Sequence, residues 1–213
     1  MKISRFTVNP YGENTYILWN DTTHDALIID PGMSNETERN AVDKYIEDNK
    51  LNVKKILLTH QHVDHVISVS YLADKYKCPI AAHKGDSELG ASLQSQANML
   101  GVPGKMQPFM VSEELADEQN LELDGEKIIA LWVPGHSEGG MAFYIPDSNC
   151  VFVGDSLFEQ SIGRTDLPGG DYATLINSLR TKLLNLPEDT AVYPGHGSST
   201  TIGDEKMYNP FLR

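Results

Sequence analysis

The sequence predicts a mixed α/β fold, and three observations carry that prediction. Short apolar runs of strand length alternate with amphipathic stretches of helical period. Four of the apolar runs end in a histidine or an aspartate: Ile56-Leu57-Leu58 before His60, residues 127–133 before His136, 150–153 before Asp155, and 190–193 before His196. Finally, 213 residues with 40% hydrophobic side chains can bury a large core, which excludes a disordered chain and suits a single domain over residues 1–213.

The elements follow in order. Residues 2–8 alternate loosely and predict a first strand. Tyr16-Ile17-Leu18-Trp19 predicts a second and Ala26-Leu27-Ile28-Ile29-Asp30 a third. The polar stretch 20–25 between them makes a hairpin, so His24 is expected to face solvent. Asp30-Pro31-Gly32 ends the third strand with a breaker pair. Asp30 either braces the histidine-rich loop from behind or caps its own turn. Val42, Tyr45 and Ile46 recur on a helical period within 36–49. The strand at 56–58 leads into Thr59-His60-Gln61-His62-Val63-Asp64-His65, and a helix follows to about Lys77. Pro79-Ile80-Ala81-Ala82 is a short strand ending at His83, which reads as a packed or hydrogen-bonded core residue. From Lys84 to Asn120 the pattern weakens, with Met99, Leu100, Met106, Phe109 and Met110 set among Gly and Pro. This segment is either a lid or substrate wall, for which adaptable methionines are suited, or a helical excursion whose methionines fill the core. After the Asp124-Gly125 turn come strands at 127–133, 141–145 and 150–153, a helix at about 172–184 and a last strand at 190–193.

The charge balance narrows the partners. A net charge of −13 repels nucleic-acid backbones and anionic membranes, which argues against a nuclease or a membrane-surface protein. No apolar run has membrane-spanning length, and the segment from Met1 to Phe6 is too polar for a secretory signal. Cys78 and Cys150 read as buried packing residues in a reduced interior, so the expected location is the cytoplasm.

The chemistry is concentrated in His60-x-His62-x-Asp64-His65, where three of the seven histidines and a carboxylate fall within six positions. Two residues apart in extended chain, His60 and His62 point the same way. Asp64 and His65 open the next helix, where an acidic side chain also suits the free N–H groups. A lone histidine before a helix would be a solvated terminal residue, but this density reads as a metal motif. Imidazole and carboxylate are ligands that zinc, iron and manganese accept. The glycines before His136, Asp155 and His196 allow sharp turns at those strand ends. If the four strands are neighbours, His60, His62, Asp64, His65, His136, Asp155 and His196 gather. Seven ligands exceed one four-coordinate ion and fit two ions sharing Asp155 and a water.

At these residues the chain resembles the hydrolases of the metallo-β-lactamase fold, in their small glyoxalase II-like thioesterase group. The matching motifs are His60-x-His62-x-Asp64-His65, Pro134-Gly135-His136, Gly154-Asp155 and Gly195-His196-Gly197. Glu13-Asn14-Thr15-Tyr16, Asp30-Pro31-Gly32, Gly163-Arg164-Thr165-Asp166 and Asn209-Pro210-Phe211-Leu212 match as well, so the likeness spans nearly the whole chain. The resemblance implies a four-layer αββα sandwich of two mixed sheets with helices on both outer faces. It implies one metal on His60, His62 and His136, a second on Asp64, His65 and His196, and Asp155 between them. Zinc is the expected ion, and iron or manganese would also suit. Two such ions lower the pKa of water from ~15.7 toward about 7, making hydroxide available to attack a carbonyl. A thiolate leaving group, with a conjugate acid pKa of about 8.5, then departs with little protonation. The motifs offer no dedicated acid, so the expected substrate is a small thioester, with Asp64 accepting the proton of the attacking water. Arg164 either pairs with a substrate carboxylate or forms an internal ion pair with Asp166 or Asp171. The chain closes at Arg213 soon after His196, which under the resemblance leaves no helical domain to form a glutathione pocket. Rival readings are a persulfide dioxygenase with one iron, a true β-lactamase and a non-catalytic metal-binding module.

Overall fold

The computed structural model describes residues 1–213. Its strands form two mixed sheets. The first contains β1 (Lys2–Val8), β2 (Glu13–Trp19), β3 (Asp25–Ile29), β4 (Asn52–Leu57), β5 (Ile80–His83) and β6 (Glu113–Leu115), in that order. Pairing is antiparallel from β1 to β3 and parallel from β3 to β6. The second sheet contains β7 (Gln119–Leu123), β8 (Glu126–Trp132), β9 (Met141–Ile145), β10 (Cys150–Gly154), β13 (Ala191–Pro194) and β14 (Thr200–Thr201). Its order is β14-β13-β10-β9-β8-β7, with β10 and β13 parallel. A small ribbon, β11 (Leu157–Phe158) with β12 (Ser161–Ile162), follows Asp155.

Alternation along the strands separates three apolar layers. Tyr16, Leu18, Leu27, Ile29 and Leu57 point inward against Ile128, Ala130, Phe143, Ile145 and Phe152 of the other sheet. The intervening residues Ile17, Trp19, Ala26, Ile28 and Ile56 face outward, onto α1 (Glu36–Asp48), α2 (Val63–Val66), α3 (Val69–Tyr76) and α5 (Leu93–Leu100). On the far side, Leu131, Val133, Ala142, Val151, Val153 and Val192 pack on α6 (Tyr172–Ser178) and α7 (Ile202–Tyr208). The order is therefore helix, sheet, sheet, helix, as the resemblance implies. Strands buried on both faces also explain why the sequence shows continuous apolar runs there instead of polar alternation.

Several local expectations change. The helix after the histidine motif breaks into α2 and α3 because Ser68 is drawn out of the ladder. Its N–H donates to the Pro31 carbonyl (2.9 Å) and its hydroxyl to that of Met33 (2.6 Å). His24 occupies the hairpin turn, at φ +62°, yet it does not simply face solvent. It is half-buried, stacks on Trp19 and places Nδ1 2.9 Å from the Asn49 carbonyl. His83 is half-buried, accepts from the Gly85 N–H at 3.1 Å and stacks on Trp132. Segment 84–120 is in part a helical excursion, but Met99 and Met110 do not fill the core. It folds into α4 (Ser87–Ala91), α5 and the edge strands β6 and β7; Leu93 and Ala97 enter the core, while Met99 and Met110 stay exposed. Cys78 and Cys150 are free and buried, as expected. No helix is long and apolar enough to cross a membrane.

Candidate metal centre

β4, β8, β10 and β13 deliver their C-terminal ends to one edge of the sandwich, and the seven predicted residues meet there. His62 Nδ1 lies 2.9 Å from His136 Nε2, and His65 Nε2 lies 3.3 Å from His196 Nε2. Asp64 Oδ2 is 3.3 Å from His196 Nε2. Asp155 sits between the two groups, with Oδ1 3.4 Å from His65 Nε2 and Oδ2 3.8 Å from His136 Nε2 and 3.6 Å from His196 Nε2. The His60 ring closes the floor, 4.1 Å centroid to centroid from His65. Three donor triads lie close enough to surround an ion: His60, His62 and His136; Asp64, His65 and His196; and Asp30, His60 and His65, of which Asp30 is already bonded to His65 Nδ1 and Thr59.

Buried backbone holds this edge in shape. At Gly154 φ is +51° and a Cβ would sit 2.2 Å from Thr59 Oγ1, so only glycine lets β10 pass into Asp155 against the β4 loop. Asn14 and Tyr16 of β2 hold the loop carrying His196: the Asn14 amide donates to the carbonyls of Pro194 (3.1 Å) and Gly197 (3.0 Å), and the Tyr16 hydroxyl to Pro194 (2.7 Å).

Outer partners decide which ring nitrogen faces inward. Asp30 accepts from His65 Nδ1 at 3.0 Å and from the Thr59 N–H at 2.7 Å, so it braces the motif from behind. The Thr59 hydroxyl, which donates to Asp30, accepts from His60 Nδ1 at 3.0 Å. His136 Nδ1 donates to the Arg164 carbonyl (2.8 Å) and His196 Nδ1 to that of Tyr11 (3.1 Å). Each of these bonds places the proton on the outer nitrogen and leaves a lone pair on Nε2. Burial, then the neighbouring imidazoles, pulls His60 well below the usual range and His62 down to about 4. At His65 burial acts the same way, but Asp155, Asp64 and Asp30 outweigh it and raise the pKa. Burial would raise Asp155, and the facing His65 and His196 overcome it and lower the pKa. His60 Nε2 and Asp155 Oδ1 are buried without any hydrogen-bond partner. Lone pairs aimed at one another and stranded polar atoms are costly alone, and cations among them relieve both. The residues therefore fit a pair of metal ions.

The Metallo-beta-lactamase superfamily model matches residues 8–196. The chain belongs to this superfamily. Among its relatives, a hydroxyacylglutathione hydrolase, GloC, of Haemophilus influenzae is 42% identical over 214 residues, covering 100% of this chain and 98% of the relative. The BLEG-1 B3 metallo-beta-lactamase superposes with a TM-score of 0.90 at 34% identity, over 99% of each chain. TTHA1623 in a di-iron-bound form gives 0.86 at 38% identity, over 98% of this chain and 100% of that one.

A pocket of ≈ 360 Å³ opens onto His62, Asp64, His136 and Asp155. Its walls include Tyr11, Leu89, Met99, Leu100, Leu167 and Pro168, with Arg164 as the one cationic side chain. Arg164 makes a bidentate ion pair with Asp166, Nε to Oδ1 at 2.7 Å and Nη2 to Oδ2 at 2.8 Å, which is the internal pairing weighed from the sequence. Sequence reasoning missed Thr59, the Tyr11 carbonyl, Asp86 and Gln96. A carbonyl leaves no trace in a side-chain pattern, and Asp86 is 25 residues from the N–H it binds.

Proposed function

We propose that this chain is a dinuclear metal-dependent hydrolase that cleaves a small hydroxyacyl thioester. His60, His62 and His136 would hold one ion, Asp64, His65 and His196 the other, and Asp155 would bridge them. The supporting observation is the convergence of imidazole nitrogens at 2.9 Å (His62 with His136) and 3.3 Å (His65 with His196), with outer partners that turn Nε2 of His65, His136 and His196 inward. Zinc suits this donor set; iron is the alternative that the di-iron relative supports. When bound, the ions supply Lewis acidity that activates water near neutral pH and polarises a carbonyl oxygen.

The chain's own groups do the rest. Asp64, at the pocket floor, accepts the proton that the attacking water gives up. The apolar wall of Leu89, Met99, Leu100 and Leu167 holds the acyl body and keeps bulk water out. Arg164 keeps Nη1 clear of its Asp166 bonds and would pair with a substrate carboxylate. The pocket has no lysine, its histidines are committed to the cluster and the Tyr11 hydroxyl donates to the Leu100 carbonyl, so it has no dedicated acid for a leaving amine beyond the proton that Asp64 has taken up. A thiolate needs none, which favours a thioester over an amide. The full-length similarity to a hydroxyacylglutathione hydrolase supports the same class. β-Lactam hydrolysis is the second reading, supported by the likeness to BLEG-1.

The test is metal content per chain alongside a panel of a hydroxyacylglutathione, a carboxylate-free acyl thioester and a cephalosporin. Two ions per chain, with thioester turnover that chelation abolishes, is the expected result. Arg164→Ala should raise KM for the carboxylate-bearing thioester and spare the neutral one. A doubly loaded protein inert to both thioesters would refute the proposal. One iron per chain with oxygen uptake would replace it with a dioxygenase, and preferential cephalosporin turnover with the β-lactamase.

A further inference from the structure

We propose that Asp86 and Gln96 are positioning residues that set His62 for metal binding by gripping its backbone on both sides. The inference rests on the ligand assignment proposed above. Four of the five clustered imidazoles are oriented by an outer partner: Thr59 for His60, Asp30 for His65, and the carbonyls of Arg164 and Tyr11 for His136 and His196. His62 has none. Its Nδ1 faces His136 at 2.9 Å, and its Nε2 makes no hydrogen bond. Its placement therefore comes from the main chain and from the His60 and His136 rings packed edge-on against it.

The chain on either side of His62 is held by side chains from the 84–100 segment, at the peptide before Gln61 and at the one joining His62 to Val63. The Gln61 N–H donates to Asp86 Oδ2 at 3.1 Å, and the Val63 N–H to Gln96 Oε1 at 3.0 Å. The second bond also satisfies the first turn of α2, which has no side-chain cap of its own. Asp86 is 1% exposed, and its carboxylate reaches further. Oδ2 also accepts from the Ser137 hydroxyl (2.9 Å), and Oδ1 from the Gly139 N–H (2.6 Å). One buried carboxylate thus ties the loop carrying His62 to the loop carrying His136, the pair whose ring nitrogens approach each other most closely. Gln96 is pinned in turn, its Nε2 donating to the Leu89 carbonyl at 2.7 Å. Gln96 lies on α5, which also supplies Met99 and Leu100 to the pocket wall. Wall and ligand therefore form one mechanical unit, in which a shift of α5 displaces the acceptor that fixes Val63.

The test is cobalt(II) titration of the full-length chain after chelation, read by visible absorption. His136→Ala and His196→Ala variants supply the reference spectra for the two half-sites. Asp86→Asn must turn an amide N–H₂ toward one of three donors, so it should weaken the His60/His62/His136 half-site by about 10–100-fold and leave the other within about twofold. Gln96→Leu should act in the same direction. Gln96→Glu keeps an oxygen facing the Val63 N–H but turns its other oxygen on the Leu89 carbonyl, so it should recover part of the affinity that Gln96→Leu loses. A purely structural role would lower Tm without separating the half-sites. Equal weakening of both half-sites, or unchanged affinity in Gln96→Leu, would overturn the proposal. If Asp86→Asn does not fold, the Gln96 pair decides alone. A wild-type chain that binds fewer than two cobalt ions would refute the ligand assignment instead.

Discussion

Thr59→Val replaces a hydroxyl by a methyl at almost constant shape, in the 2% exposed residue that links His60 to Asp30. Asp30 keeps two donors, the residue 59 N–H at 2.7 Å and His65 Nδ1 at 3.0 Å, so it is not stranded. His60 Nδ1–H loses its only acceptor in a fully buried site. An unsatisfied buried donor costs about 1–3 kcal/mol. For a chain of this length each kcal/mol moves Tm by about 2–4 °C, so the metal-free variant should melt about 2–12 °C lower. The second effect is chemical. Without an acceptor at Nδ1 the ring can place its proton on Nε2, where the lone pair is needed, and metal affinity should fall by about 10–100-fold. Thr59→Ser keeps the hydroxyl and loses one methyl, worth about 0.8 kcal/mol, so it should retain the affinity. The assay is a thermal melt of each chelated variant, followed by metal titration under identical conditions. If Thr59→Val matches wild type in both readings while Thr59→Ser does not exceed it, the hydrogen-bond chain from Asp30 to His60 does not fix the His60 ring.

Other outcomes follow from the same geometry. Asp64→Asn should lower kcat by about 10²-fold or more while the His60/His62/His136 triad still binds an ion, so undiminished turnover would remove Asp64 as proton acceptor. A Cβ at Gly195 would lie 2.3 Å from Asp155 Oδ1 and 2.6 Å from His65 Cε1, so Gly195→Ala should push the central carboxylate aside and reduce metal content; full occupancy by elemental analysis would contradict it. Burial pushes the Cys150 thiol up to about 12 and also raises Cys78. Neither should react with a disulfide reagent at pH 8 in the native protein, and both should titrate in denaturant.

How far the sequence reached differs between parts of the molecule. The central strands were legible because burial on both faces writes an uninterrupted apolar run, as at Ile28, Ile29, Ile56 and Leu57. The edge elements were not: β6 is Glu-Glu-Leu, and β7 is only buried at Leu123, so neither carries enough apolar contrast to be read. The break at Ser68 and the half-burial of His24 were equally silent, since each depends on a partner remote in sequence.

By itself the sequence determined which donor side chains the protein carries and where along the chain they fall. Imidazoles and carboxylates at the ends of four apolar runs can serve few purposes, and their spacing is fixed by covalent structure. Tertiary structure alone decided how those groups are presented. Which nitrogen of His136 faces inward is set by the Arg164 carbonyl, what braces the chain beside His62 is Asp86 and Gln96, and what walls the pocket over the centre includes α5. Each of these is a hydrogen bond or contact between distant segments, and chain order does not encode which distant atoms the packed layers will bring within reach.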